Sequence, residues 1–450
     1  MSIRSAARTT LGLGEGPPLR EVAAGPGWYP LAILTTLNLV DELDRAVLAV
    51  FAPEIQRFFS INDTTLGAIV GLQVAMLIIA GVPIGYMATR VDRARLLRWS
   101  AAAWSVFSTA TALAIRLPAF IAVRFLTGIG KASVDPVGKA MLADTYPMAG
   151  WNRVFAVHNA ANPLGGIIGP LLAGTIGYFV AGDAAWRVAF PILTIPTIVA
   201  LIAARRLREP RNQTAKQFLG ATTSFTSAPK GERFVSSVRR LARIPTFRRQ
   251  FIGIGVLGFA LIGILPFISL FYERVHSVDE GGRGLIFGVL GLASLTGTLL
   301  GGPLGERAFR RSPSRSTHLV GAGIAVFTIL LAAASFVPVL GLVVALQWIG
   351  IVAVAIAVAP LAAVLTAISP ANLRPLMFSL LGLGIALFGG VAGAVIVGVV
   401  ADATNIQIGM ATVAPFGVAG GLLMASSGRT VDADIAAVTQ RGAAPEEEVR

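Results

Sequence analysis

The sequence predicts an all-α integral membrane protein whose twelve transmembrane helices fold as two pseudo-symmetric six-helix bundles. Three observations carry this expectation: an apolar composition, long apolar segments of spanning length, and an internal repeat. The 450 residues are 55% apolar and 13% charged, with a mean hydropathy of +0.74. Soluble globular chains carry about 25% charged residues, so a water-soluble particle of this size would lack the charge to solvate its surface. The 50 glycines suit a helical membrane bundle, where small residues let backbones approach closely.

A spanning helix needs roughly 20 apolar residues. Twelve segments qualify: about 30–52, 65–88, 96–115, 118–142, 155–180, 187–205, 250–272, 284–303, 317–336, 339–366, 376–400 and 409–427. Lys and Arg orient them, because basic residues stay in cytoplasmic loops. The loop after span 2 holds Arg90, Arg93, Arg95 and Arg98, and the loop after span 8 holds Arg307, Arg310, Arg311 and Arg315. The connection between spans 6 and 7 holds twelve basic residues, from Arg205 to Arg249. The opposite loops hold only Arg57, Arg116, Arg187, Arg274 and Arg283. Both termini are therefore expected in the cytoplasm, with the chain in a bacterial inner membrane.

The net charge of +14 could indicate nucleic-acid binding. Its confinement to short loops between apolar spans argues against that, and no nucleic-acid partner is expected. With no cysteine, a disulfide framework and a thiolate metal site are both excluded. His158, His276 and His318 show no ligand spacing, so neither a metal nor a cofactor is expected.

Residues 1–29 are expected to form a disordered cytoplasmic tail, residues 30–206 the N-terminal bundle and residues 207–249 a basic cytoplasmic linker. Residues 250–427 complete the second bundle, and 428–450 form a cytoplasmic C-terminal tail. Within the linker, Phe234, Val235, Val238 and Leu241 recur at helical spacing, with Arg239, Arg240 and Arg243 on other faces. That pattern suits either a short helix on an anionic membrane surface or an unstructured basic loop.

The two halves repeat. Gly85 is followed by Arg90 and Arg93, and Gly302 by Arg307 and Arg310, at the same offsets in equivalent loops. A single such match would mean little, but the pair indicates duplication, and transporters commonly place substrate between two repeats. On these residues the chain resembles the major facilitator superfamily, whose loop pattern is roughly G-x-L-x-D-R-x-G-R-R/K. The second copy fits, with Glu306 for the acid. In the first, Thr89 stands at the acid position and Asp92 at the glycine position. The resemblance implies a cytoplasmic gate built from Gly85, Arg90, Asp92, Arg93, Glu306, Arg307 and Arg310. Asp144 and Arg153 resemble the charge pair of a further loop. Span 5, with Gly165, Gly169, Pro170 and Gly174, is similar to the superfamily's antiporter signature, although a generic glycine-rich helix would read the same way.

An ionisable side chain near the bilayer centre costs roughly 3 kcal/mol, so charges inside spans mark partners or wet cavities. At about 100° per residue, Asn38, Asp41, Glu42 and Arg45 share one face of span 1, with Asp44 beside it. Span 4 carries Arg124, Gly128, Lys131 and Asp135 as one stripe. Carboxylates on one helix facing cations on the other predict a buried ion-pair network. The same residues resemble the Spinster branch, whose span 4 pattern is about R-x-x-x-G-I-G-E-A-S and whose members are linked to lysolipid transport. Arg124 matches, whereas Lys131 reverses the charge at the Glu position.

Asp135 and Lys139 could instead form a local pair. Gly128-Ile129-Gly130-Lys131-Ala132-Ser133 is not a phosphate-binding loop, because Phe125 and Ala132 occupy the required glycine and hydroxyl positions. Asn38, His158, Asn162 and Gln347 are candidates to line a substrate cavity, and His158 could equally be a helix-packing group. The second half is nearly uncharged within its spans, which suits an amphiphile better than a sugar. The expected protein is a monomeric secondary transporter with protons, membrane lipids and an amphiphilic small molecule or lipid as partners. A multidrug–proton antiporter is the alternative within the class, and a polytopic receptor or membrane enzyme the alternative outside it.

Overall fold

A computed structural model describes residues 19–88, 91–146, 151–180, 182–208, 234–261, 264–369 and 373–443. Every regular element among them is helical. In the first half α1 (Tyr29–Val50) turns at Phe51 into the short α2 (Ala52–Phe59), which Ser60 ends in the left-handed conformation. There follow α3 (Asp63–Ala88), α4 (Arg93–Thr111), α5 (Leu117–Lys131), α6 (Val134–Thr145), α7 (Trp151–Asn159), α8 (Ala161–Phe179) and α9 (Ala185–Ala203). The short α10 (Phe234–Ala242) leads into the second half. That half comprises α11 (Pro245–Leu261), α12 (Leu265–His276), α13 (Glu280–Arg311), α14 (Pro313–Ala334), α15 (Leu340–Ile368) and α16 (Arg374–Gly384). A π-helical stretch (Ile385–Gly393) joins α16 to α17 (Ala394–Ala403), followed by α18 (Ile406–Ala411), α19 (Val413–Ser426) and α20 (Val431–Ala443).

Six of the described helices, or runs of helix, are long and apolar enough to cross a membrane: 63–81, 185–206, 280–311, 313–334, 340–368 and 406–429. The other predicted segments are also helical, but they carry charges or breaks. Span 1 holds four ionisable residues, and α4 opens with Arg93, Arg95 and Arg98. Span 4 breaks after Lys131, span 5 breaks at Ala160, and span 11 passes through the π-helical stretch.

Within the first half α1 packs on α8 and α9, and α4 on α5 and α9. Within the second, α15 lies between α13 and α14, and α19 between α11 and α14. The halves meet where α8 crosses α13 and where α3 crosses α17. Glycine makes both crossings close. A Cβ on Gly284 would stand 2.5 Å from the Pro170 carbonyl oxygen and 2.6 Å from Gly174 Cα. On Gly67 it would stand 2.2 Å from the Ala394 carbonyl oxygen. Large apolar side chains such as Val106, Val199, Leu299 and Leu422 are exposed on the outer walls, as a lipid-facing surface requires.

The described parts of both tails pack against the helical halves. Residues 1–18 lie outside the described residues, but Val22 and Ala23 of the expected N-terminal tail are buried. Tyr146 ties this stretch down by donating to the Gly27 carbonyl (2.7 Å) and accepting from Leu31 N (3.2 Å). In the expected C-terminal tail, α20 docks on the second half through buried Val431, and Asp434 accepts from Thr246 N at 3.0 Å. The linker pattern forms α10, whose Leu241 is buried; residues 209–233 lie outside the described residues.

Candidate functional site

The charged faces of spans 1 and 4 meet. Lys131, the last residue of α5, reaches Asp44 at 2.7 Å and Asp41 at 2.8 Å. Arg124, one stripe position earlier, reaches Asp44 at 3.3 Å and donates to Gln73 Oε1 on α3 at 3.1 Å. Ser108 of α4 donates a short hydrogen bond to the other oxygen of Asp44. Asp41 also accepts from Arg45 at 2.7 Å, and Glu42 lies 3.2 Å from the same guanidinium. Three carboxylates thus face three cations, so the described cluster is neutral as a whole. The aromatic faces of Trp104 and Phe190 cover Lys131 and Arg124, 5.1 Å and 5.0 Å from the cations.

The arrangement differs from a helix-wheel reading of span 1 in one respect. Asp44, placed there beside the polar face, is the centre of the cluster, because Ser108 of α4 and Arg124 and Lys131 of α5 all reach it. Glu42 points toward α8, where its Cβ lies 2.4 Å from the position a Gly165 Cβ would take. Gly165 and Gly169 let α8 lie against Glu42 and Ala46 of α1, while Gly174 belongs to the crossing with α13. The cluster is graded in exposure: the Arg124, Lys131 and Asp44 side chains are buried, whereas that of Arg45 is 52% exposed. The Nε and Nη1 atoms of Arg124 meet no hydrogen-bond acceptor among the described residues.

The cavity candidates separate. Asn38 donates to Asn162 Oδ1 (3.1 Å) and to the His158 carbonyl (3.2 Å), joining α1 to the α7–α8 break. Asn162 is exposed, while His158 is buried. Gln347 is buried inside the second half, where its Oε1 accepts from Tyr272 OH at 2.7 Å and its Nε2 meets no acceptor among the described residues.

Of the gate candidates, Asp92 caps α4 by accepting from Arg95 N at 2.6 Å, and Glu306 pairs with Arg310 on the same helix at 2.5 Å. Arg307 is exposed, Gly85 lies in α3, and Arg93 is the first residue of α4. Arg90 lies outside the described residues, as do the side chains of Asp135, Asp144 and Arg153.

A second polar site lies at the opposite end of the bundle from these loops. Arg283 of α13 donates to Glu54 of α2 at 2.5 Å, and both side chains are fully buried. Arg274 of α12 forks onto Asp63 at 2.7 and 2.8 Å and onto Gln56 at 2.7 Å. Arg57 joins Glu54 (3.0 Å) and Asp183 (2.5 Å) to Glu273 of the second half. Asp402 accepts from the backbone N–H groups of Asp63 (2.9 Å) and Thr64 (2.8 Å), so a carboxylate of one half caps a helix of the other. Ser269 donates to the Val50 carbonyl at 2.8 Å. These contacts seal this end, termed here the lock end. Burial pushes the Glu54 carboxyl above its ordinary value, against the pull of the Arg283 cation. The lock is not visible in the sequence, where Arg57, Arg274 and Arg283 stand as loop cations.

Two helical halves joined by a charged lock, with an ion cluster buried inside one of them and six described helices able to cross a membrane, have the architecture of a polytopic membrane protein. The chain belongs to the Major Facilitator Superfamily, whose family model matches residues 34–312. It is similar to protein spinster homolog 1 of Bos taurus, 25% identical over 323 residues that make up 67% of this chain and 59% of that protein. An efflux pump of Floropilus chiversii is 24% identical over 315 residues, 66% of this chain and 56% of the pump. The chain thus spans under two thirds of the length of these relatives. Among solved structures, a bacterial homolog of the human lysosomal transporter Spinster, inward-facing and unoccupied, superposes with a TM-score of 0.80 at 22% identity. That likeness of fold covers 90% of this chain and 98% of the other.

Proposed function

We propose that this chain is an alternating-access secondary transporter that exports an amphiphilic, lysophospholipid-like lipid in exchange for protons. In this reading it crosses a bacterial inner membrane twelve times, with both termini in the cytoplasm and the lock end outside. The observation that carries the proposal is the graded ion cluster: a neutral set of six charges, buried at Lys131 and Arg124 and exposed at Arg45. Charges at such depth are expensive, and Lys131 and a proton compete for the same oxygens of Asp41 and Asp44. Proton binding would free Lys131, and the ionic link between α5 and α1 would loosen with it. The exposed Arg45 offers an anionic headgroup a partner, while the second half, where Tyr272 engages Gln347 Oε1 and Val50 engages the Ser269 hydroxyl, offers apolar surface to a chain.

The likeness to an efflux pump favours a second reading, a multidrug–proton antiporter acting on apolar cations. Proteoliposomes holding the purified chain separate the two. Labelled lysophospholipid should cross and be recovered chemically unchanged, and an excess of an apolar cation should not compete. Conversion of the lipid would mean an enzyme, and full competition by the cation would mean a drug antiporter.

A further inference from the structure

The basic end of the first half carries a groove on its outer wall, about 600 Å³ in volume, lined by Arg95, Arg98, Trp99, Ala102, Leu201 and Arg205. The first four recur at i, i+3, i+4 and i+7 along α4 and so share a face. Arg98 donates to the carbonyls of Ala204 (3.3 Å) and Leu207 (3.1 Å), which satisfies the end of α9 and fixes a cation on the groove floor. Arg95 and Arg205 are exposed at the rim. No carboxylate forms an ion pair with Arg95, Arg98 or Arg205 among the described residues. Asp92, the nearest acid in sequence, is engaged by the Arg95 backbone.

Beneath the arginines the surface turns apolar. Trp99 is 72% exposed, and exposed Val106 on α4 and Leu113 just past its end follow at seven-residue steps. Exposed Ile202, Val199 and Ile195 form a parallel stripe on α9. Tryptophan favours the level where headgroups meet hydrocarbon, and basic pockets between spanning helices suit phosphate headgroups. A free phosphate would use the arginines alone; the two stripes call for acyl chains.

We propose that this groove binds the phosphate headgroup of an anionic phospholipid of the surrounding leaflet, a phosphatidylglycerol-type lipid, with its chains along the two stripes. The site lies on the outer wall, apart from the buried cluster, and does not depend on the transport reading.

Native mass spectrometry of the purified chain, titrated with phosphatidylglycerol or phosphatidylcholine, tests it. The wild type should retain the anionic lipid preferentially. Arg95→Ala with Arg205→Ala should weaken that retention by about fivefold per arginine, roughly thirtyfold together. Arg311→Ala with Arg315→Ala, which removes equal charge elsewhere at the same end, should leave it unchanged. Arg95→Gln with Arg205→Gln is the fallback if the alanine pair fails to fold. Phosphatidylglycerol brominated on its chains should quench tryptophan fluorescence in the wild type and much less in Trp99→Phe. Equal losses in the two double variants, no lipid preference, or displacement by millimolar inorganic phosphate would each overturn the proposal.

Discussion

Asp44 satisfies two buried cations and a hydroxyl, whereas Asp41 shares Lys131 with the exposed Arg45. The two carboxylates should therefore differ in what their loss costs. Asp44→Asn leaves Arg124 without a carboxylate in a covered site, an effect typically of about 3–5 kcal/mol. Asp41→Asn leaves Lys131 with Asp44 and should cost about 1.5 kcal/mol, the scale of one charged hydrogen bond. Thermal unfolding in detergent should rank them in that order, and Lys131→Met should recover part of the Asp44→Asn loss by removing a stranded cation. At the lock, Glu54 faces Arg57, Arg283 and Glu280, and burial raises its proton affinity above the ordinary value of 4.5. Once opened to water it would return to that value. The proton thus favours the sealed form, fully so below the ordinary value, and the preference fades as pH rises through the raised one. Spin labels on Arg116→Cys and Thr404→Cys should report more of the short-distance, sealed population on acidification. Glu54→Gln should flatten that response.

Element boundaries follow local chemistry, which is why most helices were legible in the sequence. Apolar length placed the helical segments, and the stripe of Arg124 and Lys131 was readable because residues seven apart return to one face of a helix. The breaks were not. Pro136 and Pro163 remove the N–H groups that would bond back to the Ala132 and Asn159 carbonyls. Prolines also stand inside the unbroken α3, α9 and α13, so proline alone does not mark a break. The close packing of Gly258 against Gly389 becomes visible only when two segments distant in sequence are brought together. The α20 helix was legible in principle, since Val431, Ile435 and Val438 recur at helical spacing between charged residues. At the α8–α13 crossing, Gly284→Val would push a side chain into the Pro170 carbonyl. Overpacking of this kind costs about 1–3 kcal/mol, so the sealed state should lose at least about fivefold in its ratio to the open one. Alkylation of Ser269→Cys, buried at this seam, should speed up accordingly, while Gly302→Ala, with no atom near its added methyl, should change nothing.

The lock shows what one chain read alone conceals at the scale of the molecule. Glu54 and Arg283 are separated by 229 residues, and Asp63 and Asp402 by 339. Each sits at a helix end, where charge is ordinary. Only the docking of the two halves turns these residues into a seal, so a linear reading sees loop charges. The buried cluster was more legible because its carboxylates and cations are expensive where they stand, and both helices belong to one half. Its coupling role is the central claim. The direct measurement is uptake of labelled lysophospholipid into proteoliposomes with and without an imposed pH gradient, for the wild type, Asp41→Asn and Asp44→Asn. The account predicts gradient-driven accumulation in the wild type and its loss in Asp44→Asn, with downhill exchange retained. Wild-type flux that ignores the gradient, or gradient-driven accumulation that survives in both variants, would contradict it and make the protein a facilitator.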